Sequence, residues 1–218
     1  MAVLGPLILV FQFSASWQWM AFGALAWILG VAAKFPLSVI WSYLGKNVSG
    51  SVSAAVLGTI SSASELGVAG LVLVWAGGGT LDAAGITLYA ISAGATEILV
   101  LGGFSVWAKD DDETTERWEA AAKKSICVRH IFFIERMIAL AGHTGSRGLI
   151  CLSIIYLSVW PAVVAVVTFM VTDAVAAYGE VRKWDWLDPS VCRRLFGLLG
   201  VISAVELVIF VFALFLFV

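Results

Sequence analysis

Long apolar runs constrain this chain more than any other feature of its sequence. Five of them contain few charged residues: 53–76, 84–108, 131–157, 161–178 and 195–218. A helix that spans the hydrocarbon core of a bilayer needs about 20 such residues. Of the 218 residues, 61% are hydrophobic and 13% are charged, whereas a soluble domain has about 25% charged residues. The sequence therefore predicts one integral membrane domain, an all-α polytopic transmembrane helical bundle of about six to seven helices.

The N-terminal apolar region leaves the number of helices open. Residues 1–33 are apolar throughout, which is long for one span and short for two. We favour one span near 15–33, preceded by a short segment that lies along or dips into the membrane; a tight helical hairpin is the alternative. Residues 34–47, which include Pro36, are expected to form a separate interfacial segment. Since no basic residue precedes the first apolar run, it does not match a removed signal peptide.

Lysine and arginine alternate between the predicted loops. Loops 34–52, 109–130 and 179–194 contain 2, 5 and 4 of these residues, whereas loop 77–83 and the turn near Pro161 contain none. Cytoplasmic loops of membrane proteins carry an excess of Lys and Arg. We therefore expect the three basic loops in the cytoplasm and the C-terminus outside, with a short solvated helix in the longest of these loops.

The cysteines show no pairing pattern. Cys127, Cys151 and Cys192 are far apart in the sequence and form no CxxC motif. Metal and disulfide frameworks are recognised by such spacings. We therefore expect three free thiols.

Eight ionisable residues remain once the charges of the loops are set aside. They are Glu65, Glu97, Glu135, Arg136, His143, Arg147, Asp173 and Glu206. An ionised side chain near mid-bilayer costs about 2.5–3.5 kcal/mol on the insertion scale, so such residues face the bundle interior, pair with one another and mark functional paths. Counted along their spans, Glu65, Glu97, His143 and Glu206 lie at one level of four helices. Glu206, in an otherwise plain apolar run, is expected to be structural or to face a partner subunit.

One predicted helix carries four of these residues. At about 100° per residue, Arg136, His143 and Arg147 form a single stripe, and Glu135 lies about 80° from His143. Three glycines between 142 and 148 keep this helix thin, which permits neighbouring helices to approach closely.

Two interpretations of these charges stay open. The pairs Glu97–Arg136 and Asp173–Arg147 are compatible with buried ion pairs that only fix the order of the helices. A lone intramembrane histidine, His143, at the same depth as two carboxylates is more typical of a functional path.

Four segments occur in an order that resembles a known family. They are GALAWILGVAAKFPL (23–37), GATEILVLGG (94–103), IERMIALAGHTGSRGLI (134–150) and VTDAVAAYGE (171–180). Over roughly 20–180, the chain resembles the YhfC-type membrane peptidase family. That family is grouped with the CAAX-prenyl-protease-like intramembrane peptidases, to which PrsW-type proteases and the scaffold subunit of γ-secretase are related. The most specific part of the resemblance is the Glu-Arg-(x)6-His element, carried here by Glu135, Arg136 and His143.

Two motifs of that family are incomplete here. Catalytic members carry a Glu-Glu pair followed by Arg, where this chain has the single Glu65, and a second histidine one turn before a terminal Asp or Asn, which is absent before Asp173. His130 lies at a helix edge and does not replace it. A zinc site of two histidines and a glutamate therefore lacks a ligand, and His143 with Glu97 or Glu65 are the only candidates. We predict no cofactor.

Three functions follow as hypotheses. The first is intramembrane peptide hydrolysis, in which Glu97 or Glu65 activates water, His143 polarises the scissile carbonyl or stabilises the oxyanion, and Arg136 orients a carboxylate. The second is a non-catalytic membrane scaffold or assembly subunit, in which the same residues form a buried network. The third is a small proton- or ion-coupled transporter.

These hypotheses set the expected site and partners. The catalytic candidates are Glu65, Glu97, Glu135, Arg136 and His143, and the supporting polar residues are Arg147 and Asp173. The expected partners are the lipid bilayer and either a membrane peptide substrate or partner membrane subunits. The net charge of −2 argues against nucleic acid, which basic surfaces bind. We expect the chain in a prokaryotic cell membrane.

Overall fold

The computed structural model describes residues 16–77, 81–107 and 112–217, and the regular elements in these ranges are all helices. They are α1 Trp17–Leu44, α2 Gly50–Trp75, α3 Ala83–Trp107, α4 Asp112–Lys124, α5 Ile126–Arg129, α6 Ile131–Ile155, α7 Val159–Val181 and α8 Pro189–Phe217, with a 3₁₀ turn, Gly45–Asn47, after α1. Six of the helices, all but α4 and α5, are long and apolar enough to cross a membrane. The prediction of an all-α polytopic bundle is confirmed, and the chain is an integral membrane protein.

The first helix is longer than predicted. It runs without a break from Trp17 to Leu44 with Pro36 inside it, so the separate interfacial segment expected over 34–47 is wrong. Proline removes one backbone donor, and transmembrane helices tolerate this where neighbouring helices pack against them. Lys34 consequently lies within a spanning helix. The predicted segment before residue 15 and the alternative hairpin fall largely on 1–15, outside the described residues.

Helix α6 lies at the centre of the bundle. It packs against α2, α3, α7 and α8, while α1 packs against α2 and α3, and α2 packs against α7. Glycines bring these helices together as expected. A Cβ on Gly145 would lie 2.9 Å from Glu206 Cγ, and one on Gly94 would lie 3.1 Å from Leu140 Cα. Small residues of this kind let membrane helices approach closely and bring their polar side chains into contact.

The outward faces of the bundle are apolar. Large exposed side chains on the spanning helices include Ile40, Leu71, Leu99, Val163, Val208 and Phe215. Exposed apolar surface on this scale marks a membrane or partner contact rather than a surface in water. By contrast, the described side chains of α4 are mostly exposed and polar, which confirms the solvated helix expected in that loop.

Two of the three cysteines form a disulfide. It joins Cys127 on α5 to Cys192 on α8 across 65 positions of sequence, whereas Cys151 is buried and free. The prediction of three free thiols is therefore wrong for two of them, because packing of α5 against α8 creates a proximity that spacing in the sequence does not show. Disulfides persist mainly in oxidising compartments, whereas the basic loops place this face in the cytoplasm. The two indications of sidedness disagree.

The start of α8 is fixed by a capping carboxylate. Asp188 Oδ1 accepts hydrogen bonds from the hydroxyl of Ser190 and from the backbone N–H groups of Ser190 and Val191. These hydrogen bonds hold the pKa of Asp188 below its usual value. A cap of this type satisfies donors that the first turn of a helix leaves unpaired, and it sets the position of Cys192 in that turn.

Candidate functional site

Lys34 joins two carboxylates from different helices. Its Nζ lies 3.1 Å from Glu65 Oε1 on α2 and 3.0 Å from Asp173 Oδ2 on α7. The hydroxyl of Ser61 also bonds to both carboxylates. Sequence reasoning missed Lys34, because we assigned it to a cytoplasmic loop. The uncharged run 35–44 after it was the signal that α1 continues beyond it.

Arg147 is fully buried and connects α2 with the histidine of α6. Its Nη2 donates to Glu65 Oε2 at 3.0 Å, and its Nη1 contacts His143 Nδ1. The guanidinium also lies 5.7 Å from the centre of the Phe169 ring, a favourable cation–π distance. Because a guanidinium only donates hydrogen bonds, Nδ1 of His143 is the acceptor. We therefore assign His143 the neutral form that carries its proton on Nε2.

Glu97 on α3 contacts His143 on the side opposite to Arg147. Its Oε2 contacts His143 Nε2 and accepts a hydrogen bond from Trp27 Nε1 at 3.2 Å. Its Oε1 lies 3.2 Å from Arg136 Nη1, and Arg136 Nη2 lies 2.6 Å from Glu135 Oε1. The indole of Trp27, which sequence reasoning also missed, thus holds one oxygen of the candidate base.

The structure brings all seven predicted site residues into one network. They are Glu65, Glu97, Glu135, Arg136, His143, Arg147 and Asp173. Of the two ion pairs named from the sequence, Glu97–Arg136 is present and confirmed. The pair Asp173–Arg147 is wrong, because Asp173 pairs with Lys34 and Arg147 pairs with Glu65.

The buried and partly buried part of the network is balanced in charge. Its three cations are Lys34, Arg136 and Arg147, and its three carboxylates are Glu65, Glu97 and Asp173. The fourth carboxylate, Glu135, is 46% exposed. An isolated charge is expensive to bury, whereas a paired and hydrogen-bonded charge is tolerated. This balance explains how five helices carry these residues inside an otherwise apolar bundle.

Glu206 lies outside this set of ion pairs. It is 1% exposed and contacts the hydroxyl of Thr168 on α7, while Gly145 of α6 packs against it. The alternative in which Glu206 faces a partner subunit is therefore wrong, because its side chain points into the bundle.

Two cavities meet at Glu97. The larger, about 380 Å³, lies between α1, α2 and α3, and its charged lining residues are Lys34, Glu65 and Glu97. The smaller, about 130 Å³, lies between α3, α6, α7 and α8, and Glu97 lines it together with Arg136 and His143. One water needs roughly 10–15 Å³ and several polar partners. Both cavities are therefore large and polar enough to hold water.

Two buried donors have no hydrogen-bond partner among the described residues. They are the Nε–H groups of Arg136 and Arg147, and Arg136 lines the smaller cavity. Leaving such a donor unpaired costs about 1–3 kcal/mol, so the Arg136 donor is free for an acceptor that comes within its reach. Glu97 has spare capacity there too. Its two oxygens can accept about four hydrogen bonds, and its contacts with Arg136, His143 and Trp27 use three.

The donor set does not fit zinc. Both ring nitrogens of His143 are engaged, by Arg147 and by Glu97, and Glu65 is bound by two cations. A zinc ion prefers about four ligands in a tetrahedral arrangement, and the described ranges contain no group of three His, Cys, Asp or Glu residues placed to hold a metal.

Comparisons of the chain with family models, curated proteins and solved structures find no match.

Proposed function

We propose that this protein hydrolyses peptide bonds within the membrane, with Glu97 as the general base. The observation that carries this proposal is the smaller cavity. It places a carboxylate with spare acceptor capacity, Glu97, beside an unpaired buried donor, the Nε–H of Arg136. Glu97 and Arg136 both line this cavity, and a base and a neighbouring donor are the two groups that attack of water on a carbonyl requires.

In the proposed reaction, Glu97 accepts a proton as water attacks the carbonyl carbon of the scissile peptide bond. The Nε–H of Arg136 donates a hydrogen bond to the oxygen on which negative charge develops. The C–N bond then breaks, the proton held by Glu97 passes to the leaving amine, and the oxygen from water remains in the new carboxyl group.

The structure changes two of the roles that we expected from the sequence. Both ring nitrogens of His143 already have partners, so we assign it the positioning of Glu97 and assign the carbonyl donor to Arg136. Glu65 is a weaker candidate base than Glu97, because its carboxylate is 4% exposed and Glu97 is 13% exposed. Glu65 instead anchors Arg147.

A membrane-embedded peptide is the substrate class that fits the access route. The larger cavity reaches Glu97 from the side of the bundle, and its wall includes Phe35 and Leu101, which are 71% and 39% exposed. Exposed apolar side chains at its edge place the entrance on the lipid-facing surface. An apolar segment within the bilayer therefore has a shorter route to Glu97 than a soluble peptide.

A non-catalytic scaffold or assembly subunit is the second candidate. The observation that favours it is the charge-balanced network itself, which ties α1, α2, α3, α6 and α7 together without a substrate. Both candidates agree with the resemblance to the YhfC-type family. We also propose that the chain is a divergent member of that family and that it lies in a prokaryotic membrane.

Hydrolysis is tested with the purified full chain in liposomes that contain a defined set of single-span peptides, incubated in ¹⁸O-labelled water. We expect peptide fragments whose new carboxyl group carries ¹⁸O, detected by mass spectrometry. Glu97→Gln keeps the shape of the side chain and removes its basicity, so it should produce no such fragments. The matched control is Glu119→Gln, the same change at an exposed position of α4.

Two results would decide against hydrolysis. One is the absence of labelled fragments with every peptide of the set. The other is equal labelling by the native chain and by a folded Glu97→Gln variant. Either result leaves the scaffold as the better supported function.

A further inference from the structure

Glu206 differs from the other buried carboxylates of the bundle because no cation among the described residues pairs with it. Within the described ranges, every ion pair of a spanning helix involves Glu65, Glu97, Glu135 or Asp173. Glu206 is only 1% exposed. An ionised carboxylate at such a place would be paired with a cation or would carry a large desolvation cost.

The hydrogen bonds of Thr168 indicate which form of Glu206 is present. The Thr168 hydroxyl lies 2.8 Å from the backbone oxygen of Val164, which can only accept, and it also contacts Glu206 Oε1. A hydroxyl carries one hydrogen and has acceptor lone pairs. When that hydrogen is donated to Val164, the contact with Glu206 requires a hydrogen on the carboxyl group. The geometry thus fits a neutral, protonated Glu206 that donates to Thr168.

The surrounding charges favour the same form. Glu206 lines the smaller cavity together with Glu97 of α3 and Asp173 of α7, and negative groups in one cavity oppose a further negative charge. From α6, Glu135 and Arg136 also line this cavity. The positive charge of Arg147 opposes the neutral form of Glu206 from a distance. The remaining titratable group of that wall, His143, contacts Arg147 and Glu97. Both arginines are committed to other carboxylates: Arg136 to Glu97 and Glu135, and Arg147 to Glu65.

A third cavity extends from this site toward the face that carries α4 and the basic loops. It has a volume of about 370 Å³ and is lined by residues of α6, α7 and α8, among them Glu180 near the end of α7. Glu135, Phe196 and Leu199 line both this cavity and the smaller one. The two spaces therefore adjoin, and carboxylates stand along the way from Glu180 through Glu135 to Glu206.

We propose that Glu206 is a proton-binding site inside the bundle, which exchanges its proton with the charged face through these adjoining acidic cavities. The ligand is a proton rather than a metal ion, because one carboxyl and one hydroxyl group offer too few ligand oxygens for a metal. The site is separate from the proposed peptide hydrolysis, which uses Glu97 and Arg136, and it does not depend on it.

The test is labelling of the purified full chain, in detergent micelles, with dicyclohexylcarbodiimide, which enters apolar regions and reacts with protonated carboxyl groups. The O–H of the acid adds across one C=N bond of the reagent. The product rearranges to an N-acylurea, so the side chain gains the whole reagent and loses nothing. We expect peptide mass spectrometry to find the label on Glu206, with little on the ion-paired Glu65 and Glu97, and to find that labelling falls as the pH rises.

Two variants make the reasoning falsifiable. Glu206→Gln should lose the label at this position. Thr168→Val, which is close to isosteric, removes the acceptor for the acid. At the pH where the native chain is half labelled, it should lower labelling by about two- to three-fold, from the loss of one ordinary hydrogen bond. If Thr168 instead donates to an ionised carboxylate, the same substitution raises labelling, and that result overturns the proposal.

Two further outcomes would also overturn it. Label on Glu65 and Glu97 but not on Glu206 would show that Glu206 is the ionised group. Protection of Glu206 by sodium chloride but not by choline chloride, at constant pH and ionic strength, would show that the site takes a sodium ion in place of a proton. Labelling that is the same with both salts is the expected result.

Discussion

The contact between Arg147 and Glu65 gives the sharpest test of the buried network. Arg147 is 0% exposed and Glu65 is 4% exposed, and their facing atoms are 3.0 Å apart. Removing either partner unbalances the network by one charge, and breaking a buried pair in this way costs about 3–5 kcal/mol. We therefore expect Arg147→Met and Glu65→Leu each to lower the free energy of unfolding by this amount.

The double variant separates pairing from packing. If the two residues contributed independently, their costs would add to about 6–10 kcal/mol. Replacing both leaves no stranded charge, because Lys34 keeps Asp173 as its partner and His143 keeps Glu97. We expect the double variant to be more stable than the sum predicts by about 2–3 kcal/mol, which is the coupling typical of residues in one ionic network.

The assay is reversible unfolding in mixed micelles, followed by the fluorescence of the ten tryptophans. A matched control pair is Arg117–Asp185, whose facing atoms are 3.2 Å apart and whose side chains are both more than half exposed. Exposed pairs of this kind contribute about 0–1 kcal/mol. Additive costs at Arg147 and Glu65, within about 0.5 kcal/mol, would refute the inference that these buried charges stabilise one another.

Four further predictions concern other parts of the molecule. Cys127→Ser should lower unfolding stability by about 2–4 kcal/mol, and reductant should lower the melting temperature of the native chain but not of the variant; equal melting with and without reductant contradicts the disulfide. Gly145→Leu should cost about 1–3 kcal/mol by overpacking against Glu206, while Gly197→Leu, where the structure has open space, should be close to neutral in the same unfolding assay. Lys34→Met should cost about 1–3 kcal/mol through the lost charged hydrogen bonds; an unchanged unfolding curve would place Lys34 outside the network. A cysteine at Glu119 should resist an impermeant maleimide in intact cells if the basic loops set the sidedness, and labelling there would place the disulfide face outside the cytoplasm.

The sequence predicts the spanning helices well because the cost of exposing backbone to lipid leaves few alternatives. Depth counting also places Glu65, Glu97 and His143 at one level, since it needs only the rise of a helix. It fails to identify the partners. Asp173 contacts Lys34 rather than Arg147 because of the rotation of α1 and α7 about their axes, which apolar runs do not specify. Lys34 was missed because residues 34–47 were assigned to a separate interfacial segment in a cytoplasmic loop. The disulfide was missed because it depends on the packing of distant helices.

The charge balance of the network constrains which substitutions can accumulate in this chain during evolution. A single substitution at one of its buried charged positions unbalances the network by one charge inside the bilayer, whereas the loss of a cation together with its carboxylate keeps the balance. Accepted substitutions should therefore occur in pairs, Arg147 with Glu65 or Lys34 with Asp173. The protein with only the first substitution of a pair would be less stable and short-lived. In a set of descendants these pairs would vary together even if no chemistry were performed there, so covariation alone would not identify the network as catalytic.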